Sequence, residues 1–304
     1  MRLLEPTGAD PKLFILDLLM IDMKHYGGLF IFNTPKPVII ETGFSHSLER
    51  IMTGLDEAKI DPKDVAYLMP THIHMDHAGG AGYLAEVCTH AKVVCHEMGT
   101  PHLIDPTKLV KSVQRAVGTL FPYYGEMKPI AAAKIISVKG GENFDLGGGY
   151  SVDVVYTPGH APHHVSFYER KTKGLFTGDA VGIYRKEATG YVMTTPPPSF
   201  NFDDSVQTLE MLKRLDLKWL YYTHYGAHQN PVALIDEYKN MLTQWVHEVD
   251  EKMQELHDEQ AVKEYLVKKE FEMLADYYEP EGLKQETEMN VQGVLLYLQR
   301  RSAK

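Results

Sequence analysis

The sequence predicts an α/β protein whose chemistry sits at strand ends. Short apolar runs close at Pro or Gly and are followed at once by His or Asp. Helical periodicity fills the intervals, and after Gly226 it continues alone to the C-terminus. In chain order, residues 12–22, 28–33 and 37–41 read as three opening strands, the last ending in Glu41-Thr42-Gly43. Residues 45–55 read as a helix. The apolar run Val65-Ala66-Tyr67-Leu68-Met69 reads as a short buried strand that Pro70 ends. A helix over 78–87, a strand over 93–96 and an amphipathic helix over 106–118 follow, the last with Leu109, Val113 and Val117 at helical spacing. Residues 119–130, with Phe121, Pro122, Tyr123 and Tyr124, are too aromatic for a linker and read as core packing or as a pocket wall. Residues 150–155 alternate as a strand should. Residues 180–202 show no clear period and predict an overhanging loop. Beyond Pro231, Leu234, Tyr238, Met241, Leu242, Trp245, Val249, Met253 and Leu256 recur every three or four residues, and further helices are expected over 265–277 and 286–301. The expected division is a catalytic domain over 1–230 and a helical extension over 231–304.

Thr71-His72-Ile73-His74-Met75-Asp76-His77 packs three imidazoles and a carboxylate into six residues on the loop leaving a strand. On an extended loop, alternation points His72, His74 and Asp76 one way and leaves His77 to the following turn. Ala78-Gly79-Gly80-Ala81-Gly82 then permits a tight bend and an early helix start. Chance is a poor explanation, because matching groups recur downstream. Tyr156-Thr157-Pro158-Gly159-His160 puts a His past one strand, Leu175-Phe176-Thr177-Gly178-Asp179 puts a carboxylate past another, and Trp219-Leu220-Tyr221-Tyr222-Thr223-His224 puts a third His past a further one. Imidazole nitrogen and carboxylate oxygen suit zinc-like ions. Divided over two ions, five His and two Asp supply about three or four ligands each.

These motifs, over about residues 13 to 230, resemble the metallo-β-lactamase superfamily, and within it the glyoxalase II-like and lactonase-like branch. The resemblance implies an αββα four-layer sandwich with a C-terminal helical extension. It implies His72, His74 and His160 on one divalent ion, Asp76, His77 and His224 on a second, and Asp179 bridging both. Zinc is the expected metal, with iron and manganese also accommodated by these ligands. The implied activity is hydrolysis of an ester, thioester or lactone of a small acyl molecule by a metal-bound hydroxide, with Asp76 and Asp179 catalytic. Glu41 replaces the shorter acid of the related Asp-Thr-Gly turn, and its longer arm puts that contact in question. Tyr184 and Arg185 follow the bridging position, where a hydroxyl and a cation can polarise a carbonyl or anchor a carboxylate; the plainer reading packs the Tyr and pairs the Arg. His163, near His160, reads as a packed residue or a substrate contact. The other histidines lack diagnostic spacing and read as structural or exposed.

Two further function classes compete: a mono-iron persulfide dioxygenase, which shares the fold and part of the ligand set, and a non-catalytic binding protein. Retention of every ligand argues against both. The chain has 304 residues and a net charge of −10, so a phosphate backbone finds little attraction and nucleic acid is not an expected partner. Cys88 and Cys95 read as reduced, buried residues. Glu5-Pro6 interrupts any signal-like apolar stretch, and no run approaches the roughly 20 apolar residues of a membrane span, so no membrane association and a cytoplasmic location are expected. For the C-terminal helices, substrate binding, homodimerisation and capping of the sandwich stay open.

Overall fold

The opening strands are apolar on both faces because both faces are covered. In the computed structural model, which describes residues 3–185, 190–274 and 279–303, the first sheet has seven strands in sequential order: β1 (Leu4–Pro6), β2 (Leu13–Asp17), β3 (Gly28–Phe32), β4 (Val38–Ile40), β5 (Tyr67–Met69), β6 (Lys92–His96) and β7 (Ile135–Val138). Pairing is antiparallel from β1 to β4 and parallel from β4 to β7. The chain then builds β8 (Asn143–Gly147), β9 (Tyr150–Tyr156), β10 (Val165–Glu169) and β11 (Gly174–Phe176), a two-stranded ribbon of β12 (Ile183–Arg185) and β13 (Gly190–Val192), and finally β14 (Trp219–Tyr222) and β15 (Gly226–Gln229). The second sheet has the order β15-β14-β11-β10-β9-β8.

Helices cover the outer faces. α1 (Leu48–Glu57), α2 (Met75–Ala78), α3 (Ala81–Val87), α4 (Thr100–Ile104), α5 (Thr107–Val117) and α6 (Phe121–Tyr124) come from the first half. The rest are α7 (Phe202–Leu212), α8 (Pro231–Leu256), α9 (Glu259–Leu274) and α10 (Pro280–Ser302).

Strand alternation sorts the core into three apolar layers. Leu13 and Ile15, Phe30 and Phe32, and Val38 and Ile40 meet Phe167, Phe176 and Tyr221 between the sheets. The alternate residues Leu16, Ile31 and Ile39 pack outward on Ile51, Leu55 and Leu84. On the far side, Leu175, Leu220 and Tyr222 pack on Leu209, Ile235, Leu266 and Val294. Two sheets face to face with helices outside form the expected αββα sandwich. The C-terminal helices share one apolar cluster with the second sheet.

Several local expectations shift. The predicted strand over 12–22 is confined to β2. The ribbon β12–β13 replaces part of the loop predicted over 180–202, and β1 and β8 carried too little apolar pattern to read. Lys186 and the predicted helix end at Tyr277 lie outside the described residues. Cys88 and Cys95 are buried and unpaired, and burial pushes both thiols up to about 11. Among the described residues, no helix is long and apolar enough to cross a membrane.

Candidate metal centre

Strands β9 and β11 run parallel, since each is antiparallel to β10, and β14 is parallel to β11. Their carboxyl ends therefore share one edge of the sandwich, and His160, Asp179 and His224 follow those ends. From the first sheet, β5 contributes residues 71–77 to the same edge. The loop is extended only as far as His74, the residue before α2, so Asp76 stands on a helical turn instead of continuing the alternation, and His77 stands on the same turn. The helix places Asp76 in its first turn, where the backbone N–H groups favour a carboxylate. Gly178 aims Asp179: its φ is +49°, and a Cβ there would lie 2.3 Å from Thr71 Oγ1 and 2.6 Å from His164 Nε2.

All seven sequence-predicted ligands converge. His74 Nδ1 lies 2.9 Å from His72 Nε2 and 2.9 Å from His160 Nε2. His224 Nε2 lies 3.3 Å from His77 Nε2 and 3.5 Å from Asp76 Oδ2. Asp179 stands between the groups, Oδ1 3.4 Å from His77 Nε2 and Oδ2 3.4 Å from His160 Nε2. Nitrogens 2.0–2.1 Å from a tetrahedral ion stand about 3.4 Å apart, so the spacings of 3.3 to 3.5 Å suit donors around a shared cation, while the 2.9 Å spacings at His74 are those of a hydrogen bond. Three groups could each hold an ion: His72, His74 and His160; Asp76, His77 and His224; and His72, His77 and Asp179.

Outer partners set which ring nitrogen faces inward. His224 Nδ1 donates to the Tyr26 carbonyl at 2.5 Å and His160 Nδ1 to the Thr194 carbonyl at 3.3 Å, while His77 Nδ1 faces Glu41 Oε1 as an ion-pair contact at 3.0 Å, outside hydrogen-bond geometry. His72 Nδ1 donates to Thr71 Oγ1 at 3.0 Å, and Thr71 Oγ1 donates on to Glu41 Oε1 at 2.7 Å. Glu41 also accepts from the Thr71 N–H at 3.1 Å and Thr223 Oγ1 at 3.0 Å. The longer acid thus makes the contact that its length put in question, and one carboxylate orients both ligand groups. His164 is a further support: its Nε2 accepts from the Asp179 N–H at 3.1 Å, and its Nδ1 donates to Thr157 Oγ1 at 2.8 Å.

The charge balance fits a bound cation. Burial, reinforced by neighbouring rings, holds His72 well below 6.5 and His74 at about 3, so their inward nitrogens keep free lone pairs. His160 is likewise lowered by burial. At His77 burial opposes the charge, but Glu41, Asp76 and Asp179 outweigh it and raise the ring well above 6.5. The carboxylates of this edge have histidines as their ion-pair partners among the described residues. Asp179 Oδ1 is buried and receives no hydrogen bond of ordinary geometry. A divalent ion supplies the positive charge that this arrangement otherwise draws from an imidazole.

The donors open onto a cavity of about 650 Å³. His74, Asp76, His160, Asp179 and His224 line its floor, and Ile73, Met75, Met193 and Met289 make its sides apolar. His163 lines it too, with Nδ1 buried and without a hydrogen-bond partner. Tyr184 does not. Its ring packs outward against Tyr191 at 4.7 Å and His228 at 4.7 Å, because the ribbon pairing turns Ile183 into the cavity instead. Arg185 lies behind the wall, its guanidinium 4.5 Å from the Tyr26 ring. The expected substrate contacts from these two residues are thus not where the structure puts the cavity lining.

Tyr124 and Thr194 line the cavity from the aromatic segment and the overhanging loop that the sequence marked, whereas Tyr26, His102, Glu286 and Asn290 line it without having been singled out as site residues. Tyr26 donates a hydrogen bond to Glu286. On α10, Glu286, Asn290 and Gly293 follow at four- and three-residue spacing, a polar and small stripe that could have flagged a helix face turned to a site.

A sandwich of this kind, with a His/Asp cluster at one edge, defines the class. A family model described as Metallo-beta-lactamase superfamily matches residues 29–224, and the chain belongs to that superfamily, whose members are mostly metal-dependent hydrolases. A metallo-β-lactamase fold-containing protein of Sulfurisphaera tokodaii is 33% identical over 210 residues, 68% of this chain and 74% of that protein. An N-acyl homoserine lactonase of Bacillus thuringiensis is 28% identical over 197 residues, 62% of this chain and 68% of the lactonase. The crystal structure of an archaeal superfamily protein from Sulfolobus tokodaii superposes with a TM-score of 0.70 at 27% identity, covering 93% of this chain and 98% of that one.

Proposed function

We propose that this chain is a dinuclear metal-dependent hydrolase that cleaves an ester, thioester or lactone bond of a small acyl molecule. Asp179 carries the reading, because its two oxygens face different donor groups, each with a nearest imidazole nitrogen 3.4 Å away. In this reading His72, His74 and His160 hold one ion, Asp76, His77 and His224 hold the other, and Asp179 spans both. Two bound cations lower the pKa of a shared water and polarise a carbonyl oxygen; zinc, iron and manganese all suit these donors.

The residues of the chain do the rest. Asp76 is partly open to the cavity, where its free lone pairs can orient the attacking water and accept its proton. Glu41 keeps the Nε2 lone pairs of His72 and His77 directed inward. The apolar sides formed by Ile73, Met75, Met193 and Met289 limit competing water and strengthen the fixed dipoles of the floor. Similarity to an N-acyl homoserine lactonase supports a carbonyl substrate, and a net charge of −10 supports a small molecule over a nucleic acid.

A panel of medium-chain thioesters and lactones, assayed with the metal-loaded chain and again after chelation, tests this. Turnover of at least one class, lost on chelation and restored by metal, is expected. A fully loaded chain that hydrolyses none of them overturns the reading.

A further inference from the structure

The cavity has a second chemical character at its mouth. Helix α5 lines it with two adjacent stripes. Leu109, Val113 and Val117 form one and pack toward the core; Lys108, Lys111, Ser112 and Arg115 form the other and are exposed. Spacings of three, four and seven residues put the three cations on one face of the helix. Across the mouth stand Pro198 and Ser199, both exposed and neutral. The carboxylates lining the cavity, Asp76, Asp179 and Glu286, belong to the buried or half-buried part. No carboxylate lies within ion-pair distance of Lys108, Lys111 or Arg115 among the described residues. Among the described residues, Arg115 Nε donates to the Lys111 carbonyl, at 3.2 Å. Asp105, at the start of the helix, accepts from the Thr107 N–H at 3.1 Å; Thr107 first, and the nearby Lys108 less strongly, hold its carboxyl below the usual range.

Three cations share this rim although the whole chain carries a net charge of −10. Such a rim focuses an attractive potential for anions at the entrance to the cavity. The rest of the lining combines an apolar surface, to which Ile73, Met75, Leu109, Val113, Met193 and Met289 contribute, with polar groups such as His102, His163 and Asn290. We propose that Lys108, Lys111 and Arg115 bind an anionic group at the far end of an elongated acyl substrate, and that they are specificity-determining residues. The acyl assignment rests on the hydrolase reading above; the recognition of an anion does not.

The test uses thioether analogues that cannot be hydrolysed: S-octyl pantetheine, S-octyl 4′-phosphopantetheine and an S-octyl carboxylate of matched length. Affinities are measured by isothermal titration calorimetry on the metal-loaded chain and on a Lys108→Ala/Lys111→Ala/Arg115→Ala variant. The wild-type chain should bind the phosphate form at least about tenfold more tightly than the neutral one, as expected for two or three partly exposed ion pairs. That preference should shrink with added salt and disappear in the variant, while affinity for the neutral analogue stays unchanged. Matching gains for the carboxylate and phosphate analogues assign recognition to charge alone, and a gain confined to the phosphate assigns it to that group. Equal wild-type affinities for neutral and anionic analogues, or a preference that survives in the variant, overturn the proposal. Turnover of the corresponding thioesters is scored separately: anion preference without turnover sinks the hydrolase reading and leaves this one standing.

Discussion

Glu41→Gln is the perturbation that most directly examines how the site is held. The wild-type carboxylate makes four contacts: it accepts hydrogen bonds from Thr71 N–H, Thr71 Oγ1 and Thr223 Oγ1, and it faces His77 Nδ1 at 3.0 Å. Oε1 takes three of them and Oε2 takes the fourth. A glutamine amide can keep its oxygen at the Oε1 position, but its NH2 then faces the Thr71 N–H, donor against donor. One buried charge-assisted bond is lost, worth about 1.5–3 kcal/mol, the two hydroxyl bonds are weakened to neutral ones, and the contact with His77 loses its charge. The metal-free variant should therefore unfold about 2–3 kcal/mol more easily in urea. Its metal affinity should fall roughly 10–100-fold, the usual effect of removing an outer partner, measured by competition with a chromophoric chelator. A variant with wild-type stability and wild-type affinity would show that Glu41 does not orient these histidines.

Three other outcomes follow from packing and charge. Gly293 on α10 faces the wall opposite α5, and a Cβ there would lie 1.8 Å from the Thr195 carbonyl oxygen. Gly293→Ala should gain about 1 kcal/mol of helix propensity but lose about 1–3 kcal/mol to overpacking against backbone; a net loss in thermal denaturation is expected, and a more stable variant contradicts the packing. Tyr184→Phe should leave kcat/KM unchanged, since the ring packs away from the cavity; a clear drop would restore Tyr184 to the site. His163 is held at about 3 by burial first and by His74 second. Its folded value lies below the ordinary 6.5, so the unfolded chain binds the proton first and stability falls with pH from about 6.5 toward 3. Replacement by Leu should flatten that dependence in the metal-free chain by about one proton; an unchanged slope refutes the assignment.

Much of the site was legible because the ligands sit in local motifs at strand ends, where Pro70, Gly159 and Gly178 mark the turns. The two sheets were legible for a related reason: strands buried on both faces carry dense apolar runs such as Gly28–Phe32. What escaped depends on long-range packing. Glu286 and Asn290 reach the cavity only because α10 crosses from the outer layer of the second sheet toward α5. Tyr184 was misplaced because position after Asp179 fixes neither the ribbon register nor the direction of a side chain. Alternation carries the extended loop one residue pair too far, to Asp76, because α2 spans only Met75–Ala78, too short for a helical period to register. The cationic rim of α5 was hidden by averaging, since a net charge describes the chain and not one helix face.

The central claim is that one edge of the sandwich holds two ions through Asp179. Inductively coupled plasma mass spectrometry on protein purified without added metal tests it most directly. Close to two zinc or manganese ions per chain, falling to one or fewer in Asp179→Asn, is the predicted result. About one iron per wild-type chain, or an Asp179→Asn variant that keeps both ions, contradicts it.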